Sequence, residues 1–361
     1  MRITFCLPSI RREPVGGYKI VYEYANRLSE RGHDITILYF SDLNMQKIPF
    51  NVIKASIGNL LLTRPIKWFK LNKKIRLVST PYVDKSSVFP DSDIIFATTP
   101  RTANCINSLP YSKGKKFYII QAYENWGTSE ENLIETYRFP FRKIVVSKWL
   151  HDKIVDKSGQ DSVVISNPID SKDFYVEEPI ETRNNLVVSL LYHKSHQKGT
   201  SLALDALTKV RKIYPELKVQ MFGSVEKGEE VPNWVDYTFQ ANSEQLRKIY
   251  NKSSIFLCAS YEEGFGLTGA ESMACGNALV STNFLGVKEY AISEKNSLLS
   301  VVGDSQKLAD NVIKLIENNE LRVTLAKQGS IDILNRSWNK AVTKLELLML
   351  RSLFDSSEDK V

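Results

Sequence analysis

The sequence predicts an α/β protein of two Rossmann-like domains, with parallel sheets facing a central cleft. Three observations carry this expectation. Short apolar strands alternate with helical patterns in two successive series, and such alternation requires parallel strands joined by helical crossovers. The series break at Asn167-Pro168-Ile169-Asp170, where proline fixes the backbone and suits a hinge. The 361 residues, 43% hydrophobic and 25% charged, are enough for about two domains of ordinary soluble composition. Domains are therefore expected at 1–168 and 169–335. A C-terminal helix over 336–361 should pack back toward the first domain and fray at its polar tail.

The first series opens with a strand at Arg2–Leu7 and a loop holding Gly16-Gly17. A helix follows from Tyr18 to Arg31, with Val21, Ala25 and Leu28 on one stripe. Gly32 ends it, and Ile35–Phe40 is the next strand. Ile94–Thr98, Lys116–Gln121 and Ile144–Ser147 are further short apolar strands. The second series places strands at Leu186–Leu191, Lys218–Phe222, Ile255–Ala259 and Ala278–Ser281. Helices are expected near 200–213, 243–251 and 267–275.

No leader is expected, because Met1-Arg2-Ile3 runs straight into a strand. No apolar run reaches the roughly 18 residues that span a bilayer. Cys6, Cys105, Cys258 and Cys275 are scattered without metal-ligand spacing and read as free thiols in a reducing cytoplasm. The net charge of +7 is unevenly placed. Residues 1–175 hold 26 Lys and Arg against 17 Asp and Glu, and the remainder 22 against 24. An anionic partner is therefore expected for the first half only.

The most informative stretch is Glu262-Glu263-Gly264-Phe265-Gly266-Leu267-Thr268-Gly269-Ala270-Glu271. It lies where the strand Ile255–Ala259 turns into the helix Leu267–Cys275, with Gly276 as the left-handed stop. Free N–H groups at a helix start favour an anion. Two carboxylates flank that position, and carboxylates accept hydrogen bonds from sugar hydroxyls. A site that cradles phosphate between groups that grip hydroxyls suits a nucleotide sugar. The plain alternative is a strand–turn–helix with surface glutamates.

With Glu263 and Glu271 separated by seven residues, this stretch resembles the E-x7-E signature of retaining glycosyltransferases of family GT4, which have the GT-B fold. The resemblance implies that Glu263 contacts the donor sugar and Glu271 the nucleotide ribose. It extends to Gly16-Gly17, similar to the family loop that reaches over the donor diphosphate, although two glycines alone also fit a tight turn. It extends further to His193-Lys194-Ser195-His196-Gln197-Lys198-Gly199, where family members carry Arg-x4-Lys-Gly with both cations on the diphosphate. Lys198 fits that pattern. His193 stands in place of the arginine and lacks its forked donor, so Lys194 is a candidate for the missing charge. Asn167-Pro168-Ile169-Asp170 resembles the family's hinge.

Gln121-Ala122-Tyr123-Glu124 closes a strand whose carboxyl end should face ligand. Gln121 and Glu124 stand near where family members carry a sugar-facing histidine. Glu124 is a candidate acceptor or donor-sugar contact, or else a loop anchor against Arg138 or Arg142. The Gln-x-Tyr-Glu and Leu-Tyr-His variants resemble rhamnosyltransferase members. Asp91-Ser92-Asp93 imitates a metal-binding D-x-D but follows Pro90 and opens a strand, so it reads as a turn. The resemblance to GT-B enzymes implies that no metal is needed, since in them helix starts and cations hold the leaving diphosphate.

Between Asp42 and Asp84 there is no acidic residue and eight basic ones. From Arg64 to Arg76 the spacing predicts an amphipathic helix, with Trp68, Leu71 and Ile75 on one face and Lys67, Lys70 and Lys74 opposite. With Phe69 and Lys73 it would suit an anionic membrane surface. The alternative is an ordinary helix whose tryptophan packs inward.

These readings converge on a retaining, metal-independent glycosyltransferase of hexosyltransferase type. The donor-binding set is Gly16, Gly17, His193, Lys198, Glu263, Gly264, Phe265, Gly266, Leu267 and Glu271, and the catalytic set Glu263, Lys198 and Glu124. The expected acceptor is a lipid-linked saccharide met by the first domain at the inner face of the cell membrane, in bacterial cell-surface polysaccharide synthesis. A GT-B sugar-nucleotide epimerase would use the same donor residues. A basic nucleic-acid-binding protein would explain the charge but not Glu263 and Glu271, and no G-x-G-x-x-G dinucleotide fingerprint is present.

Overall fold

A computed structural model describes residues 1–40, 66–80, 82–125 and 127–354. The chain divides into two compact units, one formed by Met1–Ile165 together with Asn339 onward, the other by Ser166–Trp338.

The first unit holds β1 (Arg2–Leu7), α1 (Gly16–Glu30), β2 (Asp34–Phe40), β3 (Arg76–Thr80), β4 (Ile94–Ala97), α2 (Pro100–Asn107), β5 (Lys115–Ile120), α3 (Glu130–Arg138), β6 (Arg142–Val145), α4 (Lys148–Ser158) and β7 (Val163–Val164). Among the described residues its seven strands are ordered β3-β2-β1-β4-β5-β6-β7, and every pairing is parallel. The strands are buried nearly end to end, as expected of a sheet covered on both faces. Phe5 and Phe96 stack across β1 and β4 at 4.7 Å.

The second unit holds β8 (Val187–Leu191), α5 (Thr200–Ile213), β9 (Lys218–Gly223), β10 (Val235–Phe239), α6 (Ser243–Lys252), β11 (Ile255–Cys258), α7 (Leu267–Ala274), β12 (Ala278–Thr282), β13 (Ser297–Ser300), α8 (Ser305–Glu317) and α9 (Asn319–Leu334). Its order, β10-β9-β8-β11-β12-β13, is again wholly parallel. One face of the sheet buries Val188, Leu190, Val219, Ile255 and Leu257 against Leu207 of α5 and Val312 of α8. In each sheet the strand order reverses at one place, between β1 and β4 and between β8 and β11. Open parallel sheets bind ligands outside the carboxyl ends of strands at such a point. Both units therefore have a doubly wound, Rossmann-like architecture.

The last helix, α10 (Trp338–Phe354), extends into the first unit. Glu346 on it takes hydrogen bonds from Arg31 at 2.7 Å and meets His33 at 2.7 Å, and Lys344 donates to the Val164 carbonyl. His33 is thus a structural residue at the end of α1.

The amphipathic helix expected over 64–76 is not there. Residues 66–75 form turns that lead directly into β3, while Arg64 lies outside the described residues. Asn72 Oδ1 accepts from the Lys74 N–H, and the Asn72 N–H goes to Asn26 Oδ1. Such an Asx turn offers the backbone an alternative to helix. Trp68 and Phe69 pack on Tyr22 of α1, with ring centroids 5.6 and 5.3 Å away, and Trp68 donates to the Arg11 carbonyl. Among the described residues no helix is long and apolar enough to cross a membrane.

Candidate active site

The switch point of the second sheet brings together two of the sequence-predicted residues. After β8 the chain passes through Tyr192–Ser195 and a 3-10 turn over His196–Lys198. Gly199, in the left-handed region at φ +63°, then caps α5. A Cβ on Gly199 would lie 1.9 Å from the Ala259 carbonyl oxygen, so only glycine lets this loop close onto the end of β11. The Tyr261 N–H donates to the Gln197 carbonyl and the His196 ring stacks on Tyr261, which ties the two loops together.

Across that junction Lys198 Nζ lies 2.8 Å from Glu263 Oε2. Ser260 Oγ donates to the other oxygen, Oε1, at 2.6 Å. The Glu263 side chain is only 10% exposed. Its carboxylate is therefore held at both oxygens and kept from bulk water, where charge interactions are strong. Ser260 was not singled out from sequence. The only available signal was its place three residues before Glu263.

His193 lies beside this pair but cannot stand in for an arginine. Its Nδ1 accepts from the Ser195 N–H at 2.9 Å, so that nitrogen carries no proton. Burial, and then the Lys198 charge, push its pKa below the ordinary histidine value despite Glu263. At neutral pH it is uncharged and can offer one donor, Nε2–H. Lys194 is exposed.

Downstream, Gly264, Phe265 and Gly266 are buried and Leu267 opens α7. Gly266 is also left-handed, and a side chain there would strike Phe284 and Tyr290 at 2.8 Å. Tyr290 Oη donates to the Gly266 carbonyl and its ring packs on Phe265, so the glycine turn is braced from below. The unpaired N–H groups of the first turn of α7 then lie adjacent to Glu263 in the chain. Glu271 is on α7, 5% exposed, and its charge adds to burial in raising the Tyr250 phenol and the Cys275 thiol.

In the first unit, Gly16 opens α1 and the Gly17 carbonyl accepts from Gln121 Nε2 at 3.0 Å. Gln121 therefore braces the start of α1. Glu124 is half-buried beside Tyr118 and Tyr137. Burial pushes its carboxyl up to about 8, so most of it is protonated at neutral pH. It does not anchor a loop on the two arginines considered from sequence, since Arg138 pairs with Glu135 and Arg142 is exposed. Asp91 and Asp93 are taken by Lys113 and Arg2. No cluster of three or more His, Cys, Asp or Glu suited to a metal ion occurs among the described residues.

A paired lysine and glutamate at a phosphate-favouring helix start, on the switch point of a Rossmann-like sheet, suit a sugar-nucleotide enzyme. Residues 174–331 match the family "Glycosyl transferases group 1". An uncharacterised glycosyltransferase of Methanocaldococcus jannaschii is 25% identical over 93% of this chain and 95% of its own length. The capsular polysaccharide biosynthesis glycosyltransferase CapM of Staphylococcus aureus is 23% identical over 40% of each chain. Among solved structures, Anabaena HepE in complex with UDP and glucose superposes with a TM-score of 0.76 at 18% identity, covering 98% of this chain and 100% of that one. Residues 174–331 thus resemble the group 1 glycosyltransferases, and the chain as a whole has the GT-B fold.

Proposed function

We propose that this enzyme moves a sugar from a nucleoside-diphosphate sugar to a saccharide acceptor, with retention at the anomeric carbon and without a metal ion. The observation that carries the reading is the Lys198–Glu263 pair at the head of α7. An arriving diphosphate competes with Glu263 for Lys198 and also faces the free N–H groups of α7. Lys198 then neutralises the charge that grows on the phosphate as the C1–O bond breaks. The carboxylate of Glu263 is left to the sugar hydroxyls, beside a carbon that becomes cationic. Glu271 is assigned to the ribose, and Gly16 and Gly17 to the diphosphate. The acceptor oxygen forms its bond to C1 on the face the phosphate leaves, and its proton passes to a phosphate oxygen. Glu124, protonated at neutral pH, serves as a hydrogen-bond donor to a sugar oxygen, with Gln121 beside the same strand end.

UDP and glucose in the HepE structure support a nucleotide-sugar donor, and the CapM name supports a role in bacterial cell-surface polysaccharide synthesis. A lipid-linked acceptor at the inner face of the membrane fits the basic first half. Lys67, Lys70, Lys73 and Lys74 are exposed and form its surface contact, whereas Trp68 and Phe69 are engaged with α1. Replacing the four lysines by glutamine should weaken co-sedimentation with anionic vesicles, and unchanged sedimentation removes the membrane from the proposal.

The deciding experiment screens UDP-, GDP- and dTDP-sugars by thermal shift, then follows the selected donor with saccharide acceptors by anomeric NMR. Binding to the native state raises the apparent melting temperature. Transfer with the donor's anomeric configuration kept is expected. Epimerised sugar nucleotide formed without acceptor would identify an epimerase instead. No stabilisation by any nucleotide would overturn the donor assignment.

A further inference from the structure

We propose that Arg101 anchors an anionic group of the acceptor, a phosphate or a carboxylate, at the switch point of the first sheet. The assignment of that ligand as the acceptor rests on the transferase reading above. The anion site itself rests on geometry.

The two sheets share one strand plan. In the second, the loops after β8 and β11 carry Lys198 and Glu263. The equivalent loops of the first sheet follow β1 and β4. Thr98 and Thr99 leave β4, Thr98 Oγ1 donates to the Cys6 carbonyl of β1, and a reciprocal capping box between Thr99 and Thr102 fixes the start of α2. Arg101 is the second residue of that helix, so its backbone is held firmly. Its Nη1 reaches the Pro8 carbonyl at 3.5 Å, a long contact. Its Nε and Nη2 are closed off from water and have no hydrogen-bond partner among the described residues.

That arrangement is unusual for arginine. The guanidinium does not lose its proton, and buried donors are nearly always paired. Asp84 is exposed, and its charge is felt at Cys105, as Arg101's is, but it makes no ion pair with Arg101. The idle atoms Nε and Nη2 form one edge of a planar fork, whose geometry matches two oxygens of a phosphate or carboxylate. The segment 9–15, which follows the Pro8 carbonyl that Nη1 reaches, has no regular structure. Arginine rather than lysine at this place implies recognition of oxygen geometry as well as charge.

The test titrates the full chain with inorganic phosphate and, separately, acetate by calorimetry at fixed ionic strength. The nucleoside diphosphate chosen by the thermal-shift screen is held in excess, so that Lys198 is already engaged. Wild type should bind one of the two anions saturably, and which one it binds names the acceptor's group. Arg101→Gln should weaken that binding at least tenfold, with Arg101→Lys intermediate. In transfer assays Arg101→Gln should raise the acceptor KM and leave the donor KM unchanged. Equal affinity in wild type and a folded Arg101→Gln variant overturns the proposal, as does the lack of saturable binding by wild type. Should Arg101→Gln fail to fold, hydrogen exchange on wild type decides, because the bound anion must slow the amides of residues 98–103. If no nucleotide binds, the transferase reading fails, and the anion titration without nucleotide still tests Arg101.

Discussion

Lys198 and Glu263 are each other's counter-ion in this structure, so removing either does two things. Lys198→Ala takes a cation from the departing diphosphate and also leaves a sequestered carboxylate without its partner. Turnover should fall on the order of 100-fold or more. Glu263→Gln keeps an oxygen for the Ser260 hydroxyl but loses the charge, so kcat should drop strongly with little change in KM. Glu271→Gln should instead raise KM, because the ribose changes little during reaction. Steady-state kinetics on the three variants, with Glu262→Gln as a near-silent control, tests the whole assignment. Glu124 makes a separate prediction about pH. Its pKa rises from 4.5 to about 8 on folding. Between those values the folded chain keeps a proton that the unfolded chain has lost, so stability falls as pH rises through that window and levels above it. Glu124→Gln should therefore melt higher than wild type, by a margin that widens from pH 5 to 8 and reaches about 2 kcal/mol after allowance for partial exposure. Glu263 and Lys198 could be singled out from the sequence because each sits in a short glycine-marked loop with fixed spacing, although their pairing could not. Ser260 and Arg101 were not, because their significance lies in which atoms they meet or fail to meet. Nor could spacing show that His193 is held neutral by the Ser195 N–H and by burial.

At the level of elements, the loops that carry the site depend on backbone shapes closed to other residues. Gly199→Ala would put a methyl group into the Ala259 carbonyl in a left-handed conformation. A loss of about 3 kcal/mol in chemical denaturation is expected, together with loss of nucleotide binding, since Lys198 is the preceding residue. Undiminished binding in Gly199→Ala would show that the loop does not position Lys198. The strands that flank this loop were readable from apolar runs, and α7 was readable from its bounding glycines. The segment 66–75 was misread because Trp68, Leu71 and Ile75 fall at helical spacing by coincidence. What decided its shape was the local Asx turn at Asn72, together with the Asn72–Asn26 bond and the aromatic contacts to Tyr22, which join residues more than 40 positions apart. Edge strands β3, β7, β10 and β13 were passed over for a related reason. Their sequences alternate less plainly, and parallel pairing with β2, β6, β9 and β12 makes them strands.

At the scale of the molecule, the alternation of strands and helices was enough to foretell two Rossmann-like sheets, because a parallel strand must return through a crossover. Strand order was beyond it, since nothing local distinguishes β1 beside β4 from β1 beside β3. The return of α10 to the first unit does have a local handle in Glu346, which answers both Arg31 and His33. Glu346→Ala should lower the melting temperature of the first unit by a few degrees and leave that of the second unchanged. Calorimetry with a nucleotide as marker for the second unit separates the two transitions, and a uniform shift of both would show that they unfold together.

The same path of the chain has a temporal consequence. The second unit is one uninterrupted stretch, Ser166–Trp338, whereas the first needs residues on either side of it. A ribosome delivers residues in order, and contiguous units fold as they emerge. The unit that begins the chain must therefore wait, with its last helix unmade, until the unit inserted into it has been synthesised. During that interval the seven-stranded sheet lacks the helix whose Glu346 clasps the end of α1. That interval, rather than the finished fold, is when the first unit is most open to misassembly.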